Sequence, residues 1–329
     1  MSDERAPFTI DRRRFVVWSV GAFVVASVPL ARRKQFVVRR QLPVMGTIAQ
    51  FVVVDPSETH AHAAIDAAMD DLRRVERTMT RFAHSSDVGR VNIGAARGAV
   101  AVTAETALVV REALRWADAT GGRYDPAVGG VIRAWDVNHR HEPPPDQRVR
   151  TLAGRRLHRA VEVGSSRGRT VVVLHDADAS IDLGGIAKGY AVDRATARLR
   201  DMGVTSAIVE GGGDLYALGR APSGDPWQVG IQDPTDERAM VGVIDVADAA
   251  IATSGTYRQF FRYRGRRYHH LMDPETAAPR ETAVQSVTIR ADACMHADVA
   301  ATALYGMPIE RASAILARAA PGACIERIV

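Results

Sequence analysis

The chain has 329 residues, 47% hydrophobic and 25% charged, which is enough for one large core or two modest ones and excludes disorder throughout. Its formal net charge is +5, but residues 1–40 hold nine Lys or Arg against three Asp or Glu, a net of +6 that leaves −1 for the rest, so no broad basic footprint for nucleic acid is present. Two cysteines, Cys294 and Cys324, exclude a disulfide framework and a multi-cysteine metal centre.

Phe15–Ala31 is an almost uninterrupted apolar run, with Arg12, Arg13 and Arg14 before it and Arg32, Arg33 and Lys34 after it. This is the layout of an export signal, and about seventeen residues is short for a spanning helix. The string RRRF resembles the twin-arginine export motif, with Asp11 where Ser or Thr usually stands. Residues 1–37 are therefore expected to be an export signal or an uncleaved anchor at the membrane surface, and residues 38–329 the functional domain. The expected location is the bacterial periplasm or the periplasmic face of the inner membrane.

Gln41–Val54 reads as a strand interrupted by Met45-Gly46-Thr47. From Ser57 onward Ile65, Met69, Leu72, Val75 and Met79 recur at helical spacing and predict an amphipathic helix to about Phe82. Ser85–Asn92 is polar and contains glycine, which predicts a loop. Ala104–Ala119 predicts a second helix, closed by Thr120-Gly121-Gly122. The next string, Arg123-Tyr124-Asp125-Pro126, either positions a carboxylate or makes a turn, and composition alone favours the turn. Asp136–Arg150, with Pro143, Pro144 and Pro145, reads as a surface excursion, with weak helical character before Leu157. Thr170–Leu174 and Ala179–Leu183 predict strands.

Ile181–Asp193, IDLGGIAKGYAVD, is the stretch around which the rest is organised. Gly184 and Gly185 remove Cβ atoms where backbone or ligand must come close. A strand end, a glycine turn and a helix start at about Ala187 present N–H groups and Lys188 to an anion. The segment lacks the GxxxxGK[ST] and GxGxxG signatures, so a tight turn with a solvated Lys188 is the alternative on this stretch alone.

Beyond the helix, Ser206–Val209 and Leu215–Leu218 flank Gly211-Gly212-Gly213-Asp214, which is either a hairpin bend or a close approach to a ligand. Trp227–Ile231, Met240–Val246, Ala250–Thr253 and Ser286–Ile289 predict strands, and Phe260–Tyr263 with Arg267–Leu271 predict a hairpin about Arg264-Gly265-Arg266. Ala297–Tyr305 and Glu310–Ala320 predict two helices. Together these predict an α+β fold of mixed, largely antiparallel sheets covered by helices, not a doubly wound parallel sheet.

Asp298 and Thr302 are four apart on the first of those helices and share a face. A carboxylate and a hydroxyl are hard ligands suited to Mg²⁺ beside phosphate; a solvated carboxylate and a core threonine are the alternative. His269 and His270 occupy successive strand positions, so only one can face a given site, as a base rather than as half of a metal clamp. Ser254 lacks the GxSxG elbow of a serine hydrolase.

The ordered strings MGT (Met45–Thr47), TGGRYDP (Thr120–Pro126), IDLGGIAKGYAVD (Ile181–Asp193), GGD (Gly212–Asp214), ATSGTY (Ala252–Tyr257), HHLMDPET (His269–Thr276) and ADVAATA (Ala297–Ala303) resemble the ApbE family of FAD:protein FMN transferases across roughly residues 41–320. The resemblance implies one catalytic unit with a cleft between lobes that binds FAD with Mg²⁺ and passes FMN to a Ser or Thr hydroxyl of an acceptor protein, releasing AMP. Carried onto this chain, it implies Asp298 and Thr302 as metal ligands with a backbone carbonyl near Ala187. Met45, Asp125, Gly184, Gly185, Lys188, Gly212, Gly213 and Asp214 would line the flavin nucleotide site, Thr253, Ser254 and Gly255 would lie near the phosphates, and His270 is the candidate base, with Asp298 the other catalytic group.

The chain departs from the family pattern at Ala277, where Gly commonly follows DPxT, and a negative φ is expected there. Its leader lacks a lipoprotein cysteine and resembles that of ApbE relatives serving a membrane-bound electron-transfer protein of nitrous oxide respiration. Two other readings share the pocket: an FAD pyrophosphatase giving FMN and AMP, and a non-catalytic flavin-binding assembly factor.

Overall fold

The computed structural model describes residues 35–94 and 96–329 and the backbone of residues 23–26. Strand β1 (Phe23–Ala26) falls within the expected leader; the arginines on either side of the apolar run lie outside the described residues. β2 (Phe36–Val44) and β3 (Thr47–Asp55) form a hairpin in register from Val44↔Thr47 to Phe36↔Asp55. The interruption at Met45-Gly46 is its turn, with φ of 54° and 70°, the left-handed pair that matches strand twist in two-residue hairpins. Helix α1 (Glu58–Met79) starts at Ser57, whose hydroxyl accepts from His60 N–H, and buries Ala61, Ile65, Ala68, Met69, Leu72, Val75 and Met79. It stops short of Phe82 because Thr80 is extended (ψ 134°).

The stretch expected to be a loop after α1 contains helix α2 (Asp87–Gly94). Ser86 Oγ accepts from Gly89 N–H at 2.8 Å, and Val88 and Val91 are buried, so a polar composition concealed a capped helix. β4 (Val100–Ala101) precedes α3 (Ala104–Ala119), which Thr103 caps through Thr106 N–H. Two further short helices, α4 (Gly129–Trp135) and α5 (Asp146–Leu152), bracket the proline-rich excursion. β5 (Val161–Ser166) and β6 (Arg169–Leu174) join β4 in a sheet of order β4-β6-β5.

Ala179–Leu183 is extended, but it is not the expected strand. Its backbone partners are a loop and a side chain: Ser180 N–H donates to Ala127 O, Asp182 N–H to Pro126 O, and Asn92 satisfies Ile181 on both sides at 2.7 and 2.9 Å. Helix α6 (Ala187–Asp201) follows, then β7 (Ala207–Gly211), β8 (Asp214–Leu218), β9 (Trp227–Gln232), β10 (Met240–Val246) and β11 (Ala249–Gly255). β12 (Phe260–Tyr263) and β13 (Arg266–His269) form the expected hairpin, and β14 (Met272–Asp273) pairs with β15 (Ala278–Pro279). β16 (Ser286–Ala291), α7 (Cys294–Leu304), α8 (Ile309–Ala319) and an unforeseen β17 (Cys324–Ile328) complete the chain.

The main sheet is seven-stranded and antiparallel, in the order β17-β16-β11-β8-β7-β3-β2. Its two faces follow from strand alternation. Phe51, Val209, Ala250, Ala252 and Ile289 pack under α1, α6 and α7, whereas Ile208, Leu215, Ala217 and Ile251 pack on Trp227, Val229 and Val246 of the β1-β9-β10 ribbon. A lateral cluster joins Trp135 and Leu152 to Phe261 and Ala277. The α+β architecture expected from the sequence is thus borne out.

Ala277 has φ of +51°, against the negative value expected. The left-handed conformation costs roughly 1–2 kcal/mol. It persists because Ala277 is fully buried and its carbonyl accepts from Trp135 Nε1 at 2.7 Å, which fixes the backbone that a glycine would adopt freely.

Candidate active site

Register places the tip of the β2–β3 hairpin, the Gly212-Gly213 turn and the end of β11 at one end of the sheet. Gly211 pairs with Ala49 on one side and Asp214 on the other, and Asp214 pairs with Ala252. A Cβ on Gly212 would fall 2.9 Å from Thr47 Cγ2, so glycine lets the two tips touch. Met45 N–H donates to Glu76 at 2.6 Å, which fixes the first tip on α1.

Over this end, α6 and α7 cross so closely that a Cβ on Gly189 would lie 2.3 Å from Cys294 O and 2.8 Å from Asp298 Cβ. Each helix caps the other. Asp298 of α7 accepts from Gly189 N–H in the first turn of α6 at 3.0 Å, and Asp193 of α6 accepts from Cys294 and Met295 N–H at the start of α7 at 2.7 and 2.8 Å. Neither helix has a capping side chain of its own. Asp193 is dehydrated by the protein around it, which pushes its carboxyl up to about 6 against the pull of those two amides.

Lys188 sits at the crossing. Its Nζ lies 3.1 and 3.2 Å from the two oxygens of Asp298 and 2.9 Å from Asp214 Oδ2, and it donates to Gly184 O at 3.3 Å. Burial works to lower the lysine pKa, but the two carboxylates more than offset it and hold the ammonium above its ordinary range. Asp214 is shifted well upward, first by burial and then by the charge of Asp298. Lys188 therefore braces two carboxylates and is not a solvated turn lysine.

The glycine loop packs on Thr302. A Cβ on Gly185 would come within 3.0 Å of Thr302 Cγ2 and 3.2 Å of its Oγ1, and Ser254 Oγ lies 3.0 Å from Thr302 Oγ1. Gly184 N–H donates to Asp182 Oδ1 at 2.8 Å, and Ala187 opens α6 with its N–H on Leu183 O. Alternation along β11 divides the expected phosphate-side group: Ser254 faces α7, whereas Thr253 points to the other face and meets Thr288 Oγ1 at 2.9 Å. Gly255 packs against Tyr257, whose ring a Cβ there would meet at 2.5 Å.

The two histidines separate as the strand period requires. His269 is buried, with Nε2 donating to Arg280 O at 3.0 Å and Nδ1 accepting from Leu271 N–H at 3.2 Å, which fixes a neutral ring. His270 lies just past β13 with its N–H on Gln259 O at 3.2 Å. Dehydration, then His269, Lys188 and Arg258, push the His270 pKa down to about 4. Its ring is thus a neutral proton acceptor near pH 7.

Asp125 is occupied elsewhere. Its Oδ1 accepts from Ala127 N–H and its Oδ2 from the backbone and ring of His158, both at 3.0 Å, so it ties a turn rather than presenting a free carboxylate. Sequence reading missed its neighbour Tyr124, a buried phenol whose oxygen has no hydrogen-bond partner among the described residues. Burial, then the charges of Asp298 and Asp182, raise its pKa. Also missed were the Arg81–Asp182 ion pair at 2.6 Å and Glu210 beneath the Gly212-Gly213 turn. Burial pushes Glu210 up to about 7, and one of its oxygens has no hydrogen-bond partner among the described residues. An acidic residue closing an apolar strand before GGGD was the signal for Glu210; no local pattern linked Arg81 to a loop a hundred residues away.

The model of the ApbE family matches residues 45–325. The FAD:protein FMN transferase of Treponema pallidum is 31% identical over an alignment of 328 residues, covering 93% of this chain and 90% of its own. That of Vibrio cholerae is 32% identical over 275 residues, covering 83% and 82%. Among solved structures, the ApbE protein of Thermotoga maritima is similar with a TM-score of 0.79 at 27% identity, over 89% of this chain and 96% of that one. Flavin transferase ApbE from Vibrio cholerae gives 0.74 at 29% identity, over 86% and 91%.

Proposed function

The chain belongs to the ApbE family, and from that premise we propose that it transfers FMN from FAD to a Ser or Thr hydroxyl of an acceptor protein. The acceptor oxygen forms a bond to the FMN phosphorus, the pyrophosphate P–O bond breaks, the hydroxyl proton passes to a base and AMP leaves. The observation that carries this reading is the junction of α6 and α7, where Asp298, Lys188, Thr302 and Ser254 converge beside the glycine turns.

Mg²⁺ is part of the proposal. Among the described residues no group of three or more His, Cys, Asp or Glu could hold a metal. The donors available are Asp298, the Thr302 hydroxyl and the backbone at Ala187, an oxygen-only, incomplete set of the kind Mg²⁺ accepts when water and substrate phosphate complete it. Lys188 already places a cation against Asp298, and the missing Cβ of Gly185 lets the glycine loop pack directly beside Thr302. When bound, Mg²⁺ would neutralise charge on the pyrophosphate oxygens.

The chain's own residues supply the rest. Lys188 offsets negative charge at the junction, the backbone of the Gly212-Gly213 turn lines the nucleotide side, and neutral His270 takes the acceptor proton. Among the described residues no helix is long and apolar enough to cross a membrane. The leader favours an acceptor on the periplasmic side, of the membrane-bound electron-transfer class. Incubation with FAD, Mg²⁺ and an acceptor tests the reading: covalent flavin fluorescence with AMP supports it, free FMN indicates the pyrophosphatase, and bound FAD without either indicates a carrier.

A further inference from the structure

The β12–β13 hairpin carries more positive charge than its fold can use. Arg262 and Arg267 stand directly opposite each other across the two strands, a like-charge pairing that destabilises a hairpin. Arg264 and Arg266 add to it at the turn. Glu281 pairs with Arg266, but no carboxylate among the described residues pairs with Arg262, Arg264 or Arg267. Instead Arg267 and Arg262 lie over the Phe260 ring, at 4.5 and 5.9 Å from its centre. The opposite face is aromatic: Phe261 stacks on Tyr268 at 5.2 Å and Tyr268 on Trp135 at 5.5 Å, with Arg266 over the Tyr268 ring at 5.2 Å. The arginines are thus displayed on a rigid base.

Beside them lies a groove of about 300 Å³ lined by Arg266, Arg267, Arg280, Thr256, Thr282 and Gln285, together with Glu281, whose charge Arg266 already offsets, and β13 runs from these arginines straight into His270. We propose that this hairpin face is the docking surface for an acidic segment of the acceptor protein, which it steers toward the active site. The inference rests on the transferase reading for its choice of partner. A concave groove with hydroxyl and amide groups fits an extended chain better than a flat lipid surface, and the missing negative charge is what a bound carboxylate would supply.

Binding can be measured without catalysis. A dye-labelled threonine peptide flanked by Asp and Glu, and its Asn/Gln counterpart, are titrated with the full chain by fluorescence anisotropy. The acidic peptide is expected to bind at least about tenfold more tightly, with an advantage that fades as salt rises. R262Q/R267Q should abolish most of that preference while leaving thermal stability unchanged or raised, because a repulsive pair is removed; a merely structural role would lower stability instead. FAD affinity should be unchanged. Equal binding of both peptides overturns the proposal, as does loss of FAD affinity in the variant, which would assign the arginines to the nucleotide. Charge-dependent binding to phosphatidylglycerol vesicles with no peptide preference would assign them to a lipid surface and equally overturns it. Failure of the transferase reading is distinct: the acidic peptide binds but neither peptide acquires flavin and no AMP appears.

Discussion

Lys188 Nζ lies 3.1 Å from Asp298 Oδ1 while also standing 2.9 Å from Asp214 Oδ2, so one ammonium joins the start of α6 to α7 and to the sheet. Removing it leaves two adjacent carboxylates, only 2% and 3% exposed, without their cation. Lys188→Met is expected to cost about 3 kcal/mol, toward the low end for breaking a buried pair because a quarter of the lysine side chain reaches solvent. Asp214→Asn in the same chain should recover part of that loss. Thermal or urea unfolding of the two variants measures both effects.

Two glycines of the organising stretch separate function from packing. Gly185→Ala places a methyl 3.0 Å from Thr302 Cγ2 and 3.3 Å from its Cβ, a contact that a small shift of that side chain relieves, so turnover should fall while stability drops by only about 1 kcal/mol, the low end for overpacking. Gly189→Ala puts its methyl 2.3 Å from a backbone carbonyl, which only separation of α6 and α7 can relieve. It should destabilise by about 1–3 kcal/mol or more. Melting curves alongside flavin-transfer rates check the contrast.

As the proposed base, His270 is expected to set the acid side of the pH profile. A base with its pKa pushed down to about 4 is unprotonated throughout the neutral range. The acid limb of kcat/KM, which reports the free enzyme, is therefore expected near pH 4 and not near 6.5. His270→Gln should lower the plateau itself. An acid limb at pH 6–7 in the wild type would remove His270 from the role of base.

Glu210 makes an opposite demand on pH. Its folded carboxyl is pushed up to about 7 by burial, above its ordinary 4.5, so the folded state holds more protons between those values. The stability it contributes is fully present below pH 4.5 and is lost as pH rises through 7. Glu210→Gln keeps an oxygen for Gly213 N–H and carries no charge. Relative to wild type it should gain about 3 kcal/mol on going from pH 4 to pH 8, read from urea midpoints at the two values.

Much of this was legible in the sequence where the signal was local. Helical spacing set the face of α1, paired glycines marked the turns at Gly184-Gly185 and Gly212-Gly213, and the four-residue step from Asp298 to Thr302 put both on one side of α7. The loop expected at Ser85–Asn92 concealed α2 because its stabilising groups, Ser86 Oγ and buried Val88 and Val91, depend on packing. Ala179–Leu183 looked like a strand because its residues are apolar, yet a side chain, Asn92, completes its backbone bonds. The reciprocal capping of α6 and α7 by Asp298 and Asp193 links residues about a hundred positions apart, a relation carried by no periodicity. Ala277 shows the limit of a residue rule, since tertiary contacts hold it at positive φ despite its Cβ.

The most direct test compares wild type with Asp298→Asn at saturating FAD and limiting Mg²⁺, following covalent flavin on a Ser- or Thr-bearing acceptor protein together with AMP. Circular dichroism establishes that the variant is folded. The wild type is expected to give flavinylated acceptor and AMP in equal amounts, and the variant at least about a hundredfold less. Transfer by folded Asp298→Asn at the wild-type rate, or FMN released free with the acceptor unlabelled, would contradict the assignment.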